Sequence, residues 1–137
     1  MRSYRVYSNL SEERLQAIEK FMNRTMMSLK DFERLLETNV QLKGFGVSPY
    51  ACAELAAEYT PDDEEYFGDS GVQVSVYPPE SLEEMHQWLP LDEYYAYLED
   101  CVNCCFANRP QEEKQRVYAK LAKVKEAFRR ANKCGNA

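Results

Sequence analysis

The hydrophobic period of this chain changes along its length, and that change constrains the fold more than any other feature. In the middle, the stretch GVQVSVYPP alternates Val72, Val74 and Val76 with polar residues, which is typical of a half-buried strand. Towards the C-terminus, apolar residues recur instead at the i, i+4, i+7 and i+11 spacing of a helix that docks by one face. That stripe consists of Val117, Leu121, Val124 and Phe128. The two periods together predict an α+β fold: a mainly helical domain with a small antiparallel β-sheet around residues 64–90.

Three further segments have helical spacing. The first, SNLSEERLQAIEKFMNRTMM, offers Ser11 as an N-cap with Glu13 in the first turn, and the second begins at another candidate cap, Ser28. The third follows Pro90, and Pro110 falls in the first turn of the C-terminal helix. The apolar positions are Leu15, Ile18, Phe21 or Met22, and Met26; then Leu29, Phe32, Leu35 and Leu36; then Leu91, Tyr94 or Tyr95, Leu98, Cys101 or Val102, and Cys105.

The middle of the chain has a less regular pattern. In GFGVSPYACAELAAEYTP, residues 44–49 predict a turn, and the alanine-rich run after them predicts a short helix that Pro61 stops. The segment EEMHQWLP, residues 83–90, is a candidate antiparallel partner for the valine-rich strand. The EYF at residues 65–67 is a candidate third strand.

A length of 137 residues fits one domain, which we expect to span residues 1–131, with a frayed tail over residues 132–137. Five cysteines without regular spacing fit reduced thiols rather than a disulfide framework. The N-terminus does not resemble a signal peptide, and no segment approaches the roughly 20 apolar residues that span a bilayer. These features predict a cytoplasmic protein that does not bind a membrane.

Charge is distributed unevenly along the chain. The net charge is −6, but residues 44–108 contain no Lys or Arg and fourteen Asp and Glu, so this block carries −14. Residues 1–43 carry +2 and residues 109–137 carry +6. Some lysines of the last helix are expected to pair with the acidic block, but they cannot neutralise all of it. An excess of negative charge also disfavours direct nucleic-acid binding.

The acidic block is densest in YTPDDEEYFGD, residues 59–69, which holds five carboxylates and three aromatic residues. One interpretation is a solvated face. The other is a protein-binding surface, in which aromatic rings supply buried area while the charges supply steering and register. The candidate partner-binding residues are Asp62, Asp63, Glu64, Glu65, Tyr66 and Asp69, with Glu83 and Glu84 added from the next acidic segment.

Signals for a metal, a cofactor or catalysis are weak. Cys101, Cys104 and Cys105 have the i, i+3, i+4 spacing of a buried helix face and lack a second ligand pair, which favours core packing over metal binding. The acidic run lacks the ligand spacing of a calcium loop. His86 is the only histidine, and no nucleophile or phosphate-loop motif accompanies it. We therefore predict no enzyme activity, no cofactor and no metal.

Three segments give the chain a resemblance to a known family. EEYFGDSGVQVSVYPP, LPLDEYYAYLEDCV and ANRPQEEKQRV, within residues 60–125, resemble the C-terminal part of immunity proteins from bacterial contact-dependent inhibition and related polymorphic toxin systems, particularly those that guard against ribonuclease toxins. The resemblance implies a small, non-catalytic cytosolic protein whose partner is the C-terminal nuclease domain of a cognate toxin. Such proteins commonly cover the active site of the toxin.

Two other functions use the same sequence features. A phage-type acidic inhibitor that mimics nucleic acid and blocks a host defence protein would share the acidity, and the neighbouring genes would distinguish it from an immunity protein. An enzyme that uses His86 or paired carboxylates is the third hypothesis, and loss of a measurable activity in His86→Ala would support it.

Overall fold

The computed structural model describes the backbone of residues 17–135 and the side chains of residues 17–131. Within these residues the chain forms four α-helices, four strands and one short 3-10 helix. In chain order the elements are α1 (Ala17–Thr25), α2 (Leu29–Val40), β1 (Phe45–Ser48), β2 (Ala51–Leu55), the 3-10 helix (Ala56–Glu58), β3 (Val72–Val76), β4 (Met85–Leu89), α3 (Leu91–Cys105) and α4 (Gln111–Gly135).

The strands form one antiparallel sheet in the order β1-β2-β3-β4. Ala53 pairs with Val74, and Val74 pairs with Gln87, so consecutive strands are also neighbours in the sheet. In β2 and β3 every second side chain points towards the helices. These side chains are buried: Ala51, Ala53, Leu55, Val72, Val74 and Val76. The predicted α+β class, mainly helical with an antiparallel sheet, is confirmed.

Two of the predicted elements in the middle of the chain are wrong. Residues 51–55 form a strand rather than a helix, because their apolar positions alternate and the backbone pairs with β3 along its whole length. Alanine propensity is overridden by this tertiary pairing. The EYF segment is not a strand either: the Tyr66 N–H donates to the Asp63 carbonyl within a series of turns. The sheet therefore extends over residues 45–89 instead of 64–90.

The predicted turn at residues 44–49 is also wrong, since residues 45–48 form β1. Gly44 is needed for a different reason than turn geometry. A Cβ at Gly44 would lie 2.1 Å from the Ala53 carbonyl oxygen, so only glycine permits β1 to approach β2 this closely at its start.

The helical predictions agree with the structure where it describes them. The Ser28 hydroxyl oxygen accepts a 3.3 Å hydrogen bond from the Asp31 N–H and so caps α2. Pro110, predicted in the first turn of α4, directly precedes that helix, and the predicted stripe of the helix is buried. Ser11, Glu13 and Leu15 lie outside the described residues. The α4 backbone is helical up to Gly135, and the frayed tail over residues 132–137, which lies partly outside the described residues, stays a prediction.

The helices lie on one face of the sheet. α1 packs across β2, β3 and β4, α2 contacts β1, and α4 packs on α2 and α3 as a further layer. A buried hydrogen bond of 2.9 Å from the Tyr94 hydroxyl to Asn39 Oδ1 joins α3 to α2. None of the helices in the described residues has the length and apolarity that a bilayer-spanning segment requires. The opposite face of the sheet carries the exposed Trp88 and His86.

Candidate partner-binding surface

The side of the sheet that faces away from α1 forms an exposed surface, called here the outer sheet face. Residues paired across antiparallel strands point to the same face, so the register of β2, β3 and β4 arranges the outer side chains in rows. One row contains Cys52, Ser75 and His86, and the next contains Glu54, Gln73 and Trp88. Trp88 is 49% exposed, so this face presents an indole ring to solvent.

One end of the outer sheet face is bordered by the acidic loop, defined as residues 59–71. Two side-chain hydrogen bonds tie this loop to the sheet. The Tyr59 hydroxyl donates to Glu54 Oε2, which raises the pKa of Tyr59. At the other end of the loop, Trp88 Nε1 donates to the Ser70 carbonyl oxygen over 3.0 Å. The loop is therefore held in a defined position beside the strands.

The carboxylates of the acidic loop divide into two groups. Asp63 Oδ2 accepts a 2.8 Å hydrogen bond from the Thr60 N–H, and Asp69 accepts one from the Tyr66 hydroxyl, which raises the pKa of Tyr66. These three predicted site residues shape the loop itself. The remaining carboxylates are exposed and form no hydrogen bond or ion pair with the described part of the chain: Asp62, Glu64 and Glu65.

The other predicted residues lie in the β3–β4 loop, residues 77–84. Glu84 Oε2 lies 2.7 Å from His86 Nε2, and Glu83 is exposed beside it. Between these groups and the cis Pro78–Pro79 bond lies Leu82, which is 98% exposed. This loop therefore combines negative charge with an uncovered apolar side chain.

The structure does not bring all the predicted residues into one cluster. The acidic loop enters β3 at Gly71, and the β3–β4 loop leaves the strand at Tyr77, six residues later. At a rise of about 3.3 Å per residue these points are roughly 20 Å apart. The two acidic groups consequently border the outer sheet face from opposite ends, and the face between them is the area that a partner contacting both would cover.

On the outer sheet face, both ring nitrogens of His86 lie within hydrogen-bond distance of a side chain. Ser75 Oγ lies 2.8 Å from His86 Nδ1, the Glu84 carboxylate binds the other ring nitrogen, and the Tyr77 ring packs edge-on at 5.6 Å between ring centroids. The residue types are those of a hydrolase triad. Ser75, however, lies mid-strand and is 2% exposed, so a substrate carbonyl cannot reach its oxygen. These contacts orient the side chains of His86 and Glu84 instead.

Within the described residues the cations of α4 form no ion pair with the acidic block, contrary to the expectation from sequence. Their ion pairs are formed with three carboxylates outside residues 44–108: Glu33, Glu37 and Glu126. Within the described residues, Glu80 is the one carboxylate of the block that is ion-paired with a Lys or Arg, through Arg24 at 2.9 Å. The negative charge around the outer sheet face is therefore largely uncompensated from within.

The cysteines of α3 do not share one environment. Cys101 is buried, which raises the pKa of its thiol, Cys105 is half-buried and Cys104 is exposed. Core packing thus describes Cys101 and not the whole cluster. No three His, Cys, Asp or Glu side chains within the described residues are placed to hold a metal ion.

The sequence prediction missed three residues of this surface: Glu54, Gln73 and Leu82. Glu54 and Gln73 belong to the outer rows, and the signal for Glu54 was the alternation in ACAEL, residues 51–55, once that segment is treated as a strand. Trp88 was recognised as an aromatic neighbour of the acidic block but not as part of the site. Leu82 has no periodic signal because it lies in a loop.

Comparison with known families gives one match. A family model described as CDI immunity protein, where CDI is contact-dependent inhibition, matches residues 11–121 of the chain. No curated protein and no solved structure gave a match. The family match covers all four strands, α1, α2, α3 and the first part of α4. It therefore includes the outer sheet face, the acidic loop and the β3–β4 loop.

Proposed function

Because the chain belongs to the CDI immunity protein family, we propose that it neutralises the C-terminal nuclease domain of a cognate toxin by binding to it, without catalysis. The proposed contact consists of the acidic loop and the β3–β4 loop. The family match favours this function over a nucleic-acid mimic that blocks a host defence protein. Cys52, Cys101, Cys104 and Cys105 form no disulfide within the described residues, which fits a reducing cytoplasm as the place of action.

One observation carries the nuclease assignment: the exposed carboxylates of Asp62, Glu64 and Glu65 have no cationic partner within the described residues. A protein that binds RNA or DNA presents a basic cleft to its phosphates. An uncompensated acidic surface is complementary to such a cleft, and complementary potentials raise the association rate and suppress wrong partners.

The two loops have different parts in this proposal. Asp63, Tyr66 and Asp69 hold the acidic loop in shape, so that the free carboxylates meet the toxin without a large ordering cost. Glu83 and Glu84 supply a second point of contact at the far end of β3. Two separated points of charge fix the orientation of the partner as well as attract it.

The test is a triple charge reversal, Asp62→Lys, Glu64→Lys and Glu65→Lys, measured against a catalytically inactive toxin nuclease domain. We expect the association rate constant at low salt to fall by about 10- to 100-fold and its salt dependence to weaken. Surface plasmon resonance at several ionic strengths measures both quantities.

The matched control makes the same charge change on the helical side: Glu99→Lys, Asp100→Lys and Glu112→Lys. These carboxylates are exposed and have no ion pair within the described residues. If the two triple variants associate with the toxin equally fast, the proposed surface is wrong. Absence of any binding by the unaltered protein would reject the nuclease partner.

A further inference from the structure

We propose that the centre of the toxin contact is a cation-accepting cluster on the outer sheet face that takes an arginine side chain of the toxin. This Trp88 cluster consists of Glu54, Gln73, Trp88 and Tyr59. The inference rests on the proposed function and deepens it, because it names the residue type that the partner inserts and the side chains that receive it.

The register places the cluster in a single row. Glu54 pairs with Gln73, and Gln73 pairs with Trp88, on the three adjacent strands β2, β3 and β4. Neighbouring strands lie about 4.8 Å apart, so the carboxylate and the indole are separated by roughly 10 Å of backbone spacing, with the amide of Gln73 between them. A planar guanidinium has the size to occupy the space above Gln73 while touching the side chains on both sides.

The indole of Trp88 is held in place before any partner arrives. Its Nε1–H donates to the Ser70 carbonyl oxygen over 3.0 Å, and its ring lies against Gly71, where a Cβ would come within 2.4 Å of Nε1. The ring is nevertheless about half exposed. A fixed and solvent-facing indole is the best side-chain platform for a cation, since its ring face is negative.

The carboxylate of Glu54 is also oriented. The Tyr59 hydroxyl donates to Oε2, while Oε1 accepts no hydrogen bond from any described residue. An ionised carboxylate has about four lone-pair positions, so this group keeps the capacity to accept N–H donors from a partner. Within the described residues, no Lys or Arg forms an ion pair with this carboxylate.

Arginine fits this cluster better than lysine. Its guanidinium stacks on an aromatic face and at the same time donates along its edge to a carboxylate and an amide oxygen, which an ammonium group cannot do from one position. Binding hot spots are enriched in tryptophan, tyrosine and arginine, and they lie near the centre of an interface inside a rim that excludes water. The acidic loop and the β3–β4 loop are placed to form that rim.

Three substitutions test the cluster in the full chain against the inactive toxin nuclease domain. Trp88→Ala is expected to raise Kd by about 30-fold or more, chiefly through faster dissociation. Glu54→Gln is expected to raise Kd by about tenfold. Gln73→Arg puts a guanidinium between Glu54 and Trp88, where it occupies the position proposed for the toxin's arginine. This variant should not bind the toxin domain although it stays folded.

Tyr118→Ala is the matched control, because Tyr118 is 40% exposed on α4 and lies on the helical side. It should leave Kd unchanged. Thermal unfolding of each variant separates loss of fold from loss of binding. Trp88 is the only tryptophan, so its indole N–H resonance in labelled protein should shift when unlabelled toxin domain is added.

The outcomes separate this inference from the proposed function. If the charge reversal at Asp62, Glu64 and Glu65 slows association while Gln73→Arg binds the toxin like the unaltered chain, the cluster is not the contact and the proposed function stands. An unshifted indole resonance in a saturated complex would overturn the inference in the same way. If the unaltered chain fails to bind the nuclease domain, both proposals fall together.

Discussion

Gly71 is the residue on which the position of Trp88 depends. Its φ of +98° lies in the left-handed region that favours glycine, and a Cβ there would lie 2.4 Å from Trp88 Nε1 and 2.7 Å from the Leu89 carbonyl oxygen. The second of these atoms belongs to the backbone of β4 and cannot move aside without disturbing the sheet. The indole rests on this position only because it has no side chain.

At the residue scale we predict that Gly71→Ala destabilises the protein by roughly 1–3 kcal/mol and weakens toxin binding, because both the backbone and the indole must shift. Urea unfolding and the Trp88 indole resonance measure the two effects. Gly68→Ala is the control, since Gly68 has a φ of +138° but nothing within 4 Å of its added Cβ. Gly68→Ala should leave the indole resonance in place, whereas an unmoved resonance in Gly71→Ala would contradict the prediction.

At the scale of elements, α2 and α4 are joined by an ionic cluster as well as by their apolar stripes. Arg116 donates to both carboxylate oxygens of Glu33, at 2.6 and 2.9 Å, and Lys120 lies 2.8 Å from Glu33 and 2.6 Å from Glu37. The hydrogen bond from Arg116, with Lys120 assisting, lowers the pKa of Glu33 to about 2 from its ordinary value of 4.5.

This shift predicts a pH-dependent contribution to stability. Because the folded pKa of Glu33 is lowered, its contribution is fully present above about pH 4.5 and is lost as the pH falls towards 2. Glu33→Gln should therefore reduce the free energy of unfolding by about 1 kcal/mol or less near pH 7, and the difference from the unaltered protein should shrink on acidification. Urea titrations across this range check it, and a difference that does not depend on pH would contradict it.

The elements that were predictable from sequence are those with a long local pattern. α3 and α4 repeat an apolar stripe over several turns, and β3 alternates three valines with other residues. Each pattern is long enough to distinguish a helix from a strand without knowledge of the tertiary contacts. β2 was missed because its strand identity is set by pairing with β3, which follows only after the acidic loop. β1 pairs with β2, the next element in the chain, but Phe45–Ser48 has only four residues and is too short to show a pattern. The alanines of Ala51–Leu55 favour a helix by propensity, and their packing against α1 is visible only in the folded sheet.

The charge of the candidate surface was predictable from sequence, but its geometry was not. The acidic loop stood out because its carboxylates are consecutive, whereas Glu54, Gln73 and Trp88 meet only through the register of three strands. Sequence also could not separate the carboxylates that hold the loop from those that face solvent. That division depends on hydrogen bonds such as those of Asp63 and Tyr66, which form only in the folded loop.

At the scale of the whole molecule, the two sides of the sheet differ in their distribution of charged residues. The outer sheet face and its two loops carry exposed carboxylates and no Lys or Arg, while α2 and α4, with their cations and ion pairs, lie on the other side of the sheet. The helical side also exposes carboxylates, such as Glu99 and Asp100, but they lie near the cations of α4, so the outer sheet face is the better complement to the proposed basic partner.

This arrangement predicts which amides change on complex formation. Bound toxin domain should slow hydrogen–deuterium exchange in residues 59–71 and 77–84, where most residues are exposed in the free protein, and should leave residues 111–131 unchanged. Mass spectrometry of the free and bound protein measures both regions. Protection concentrated in α4 would place the toxin on the helical side and contradict the proposal.

The alternation of β3 has an evolutionary consequence. Val72, Val74 and Val76 are buried in the core, and of the two intervening residues Ser75 is also buried while Gln73 is half-buried. Gln73 is therefore the position of this strand at which a substitution disturbs the core least. If the outer sheet face is the toxin contact, we expect specificity for a changed toxin to evolve at Gln73 and at the exposed loop residues, while the valines stay fixed.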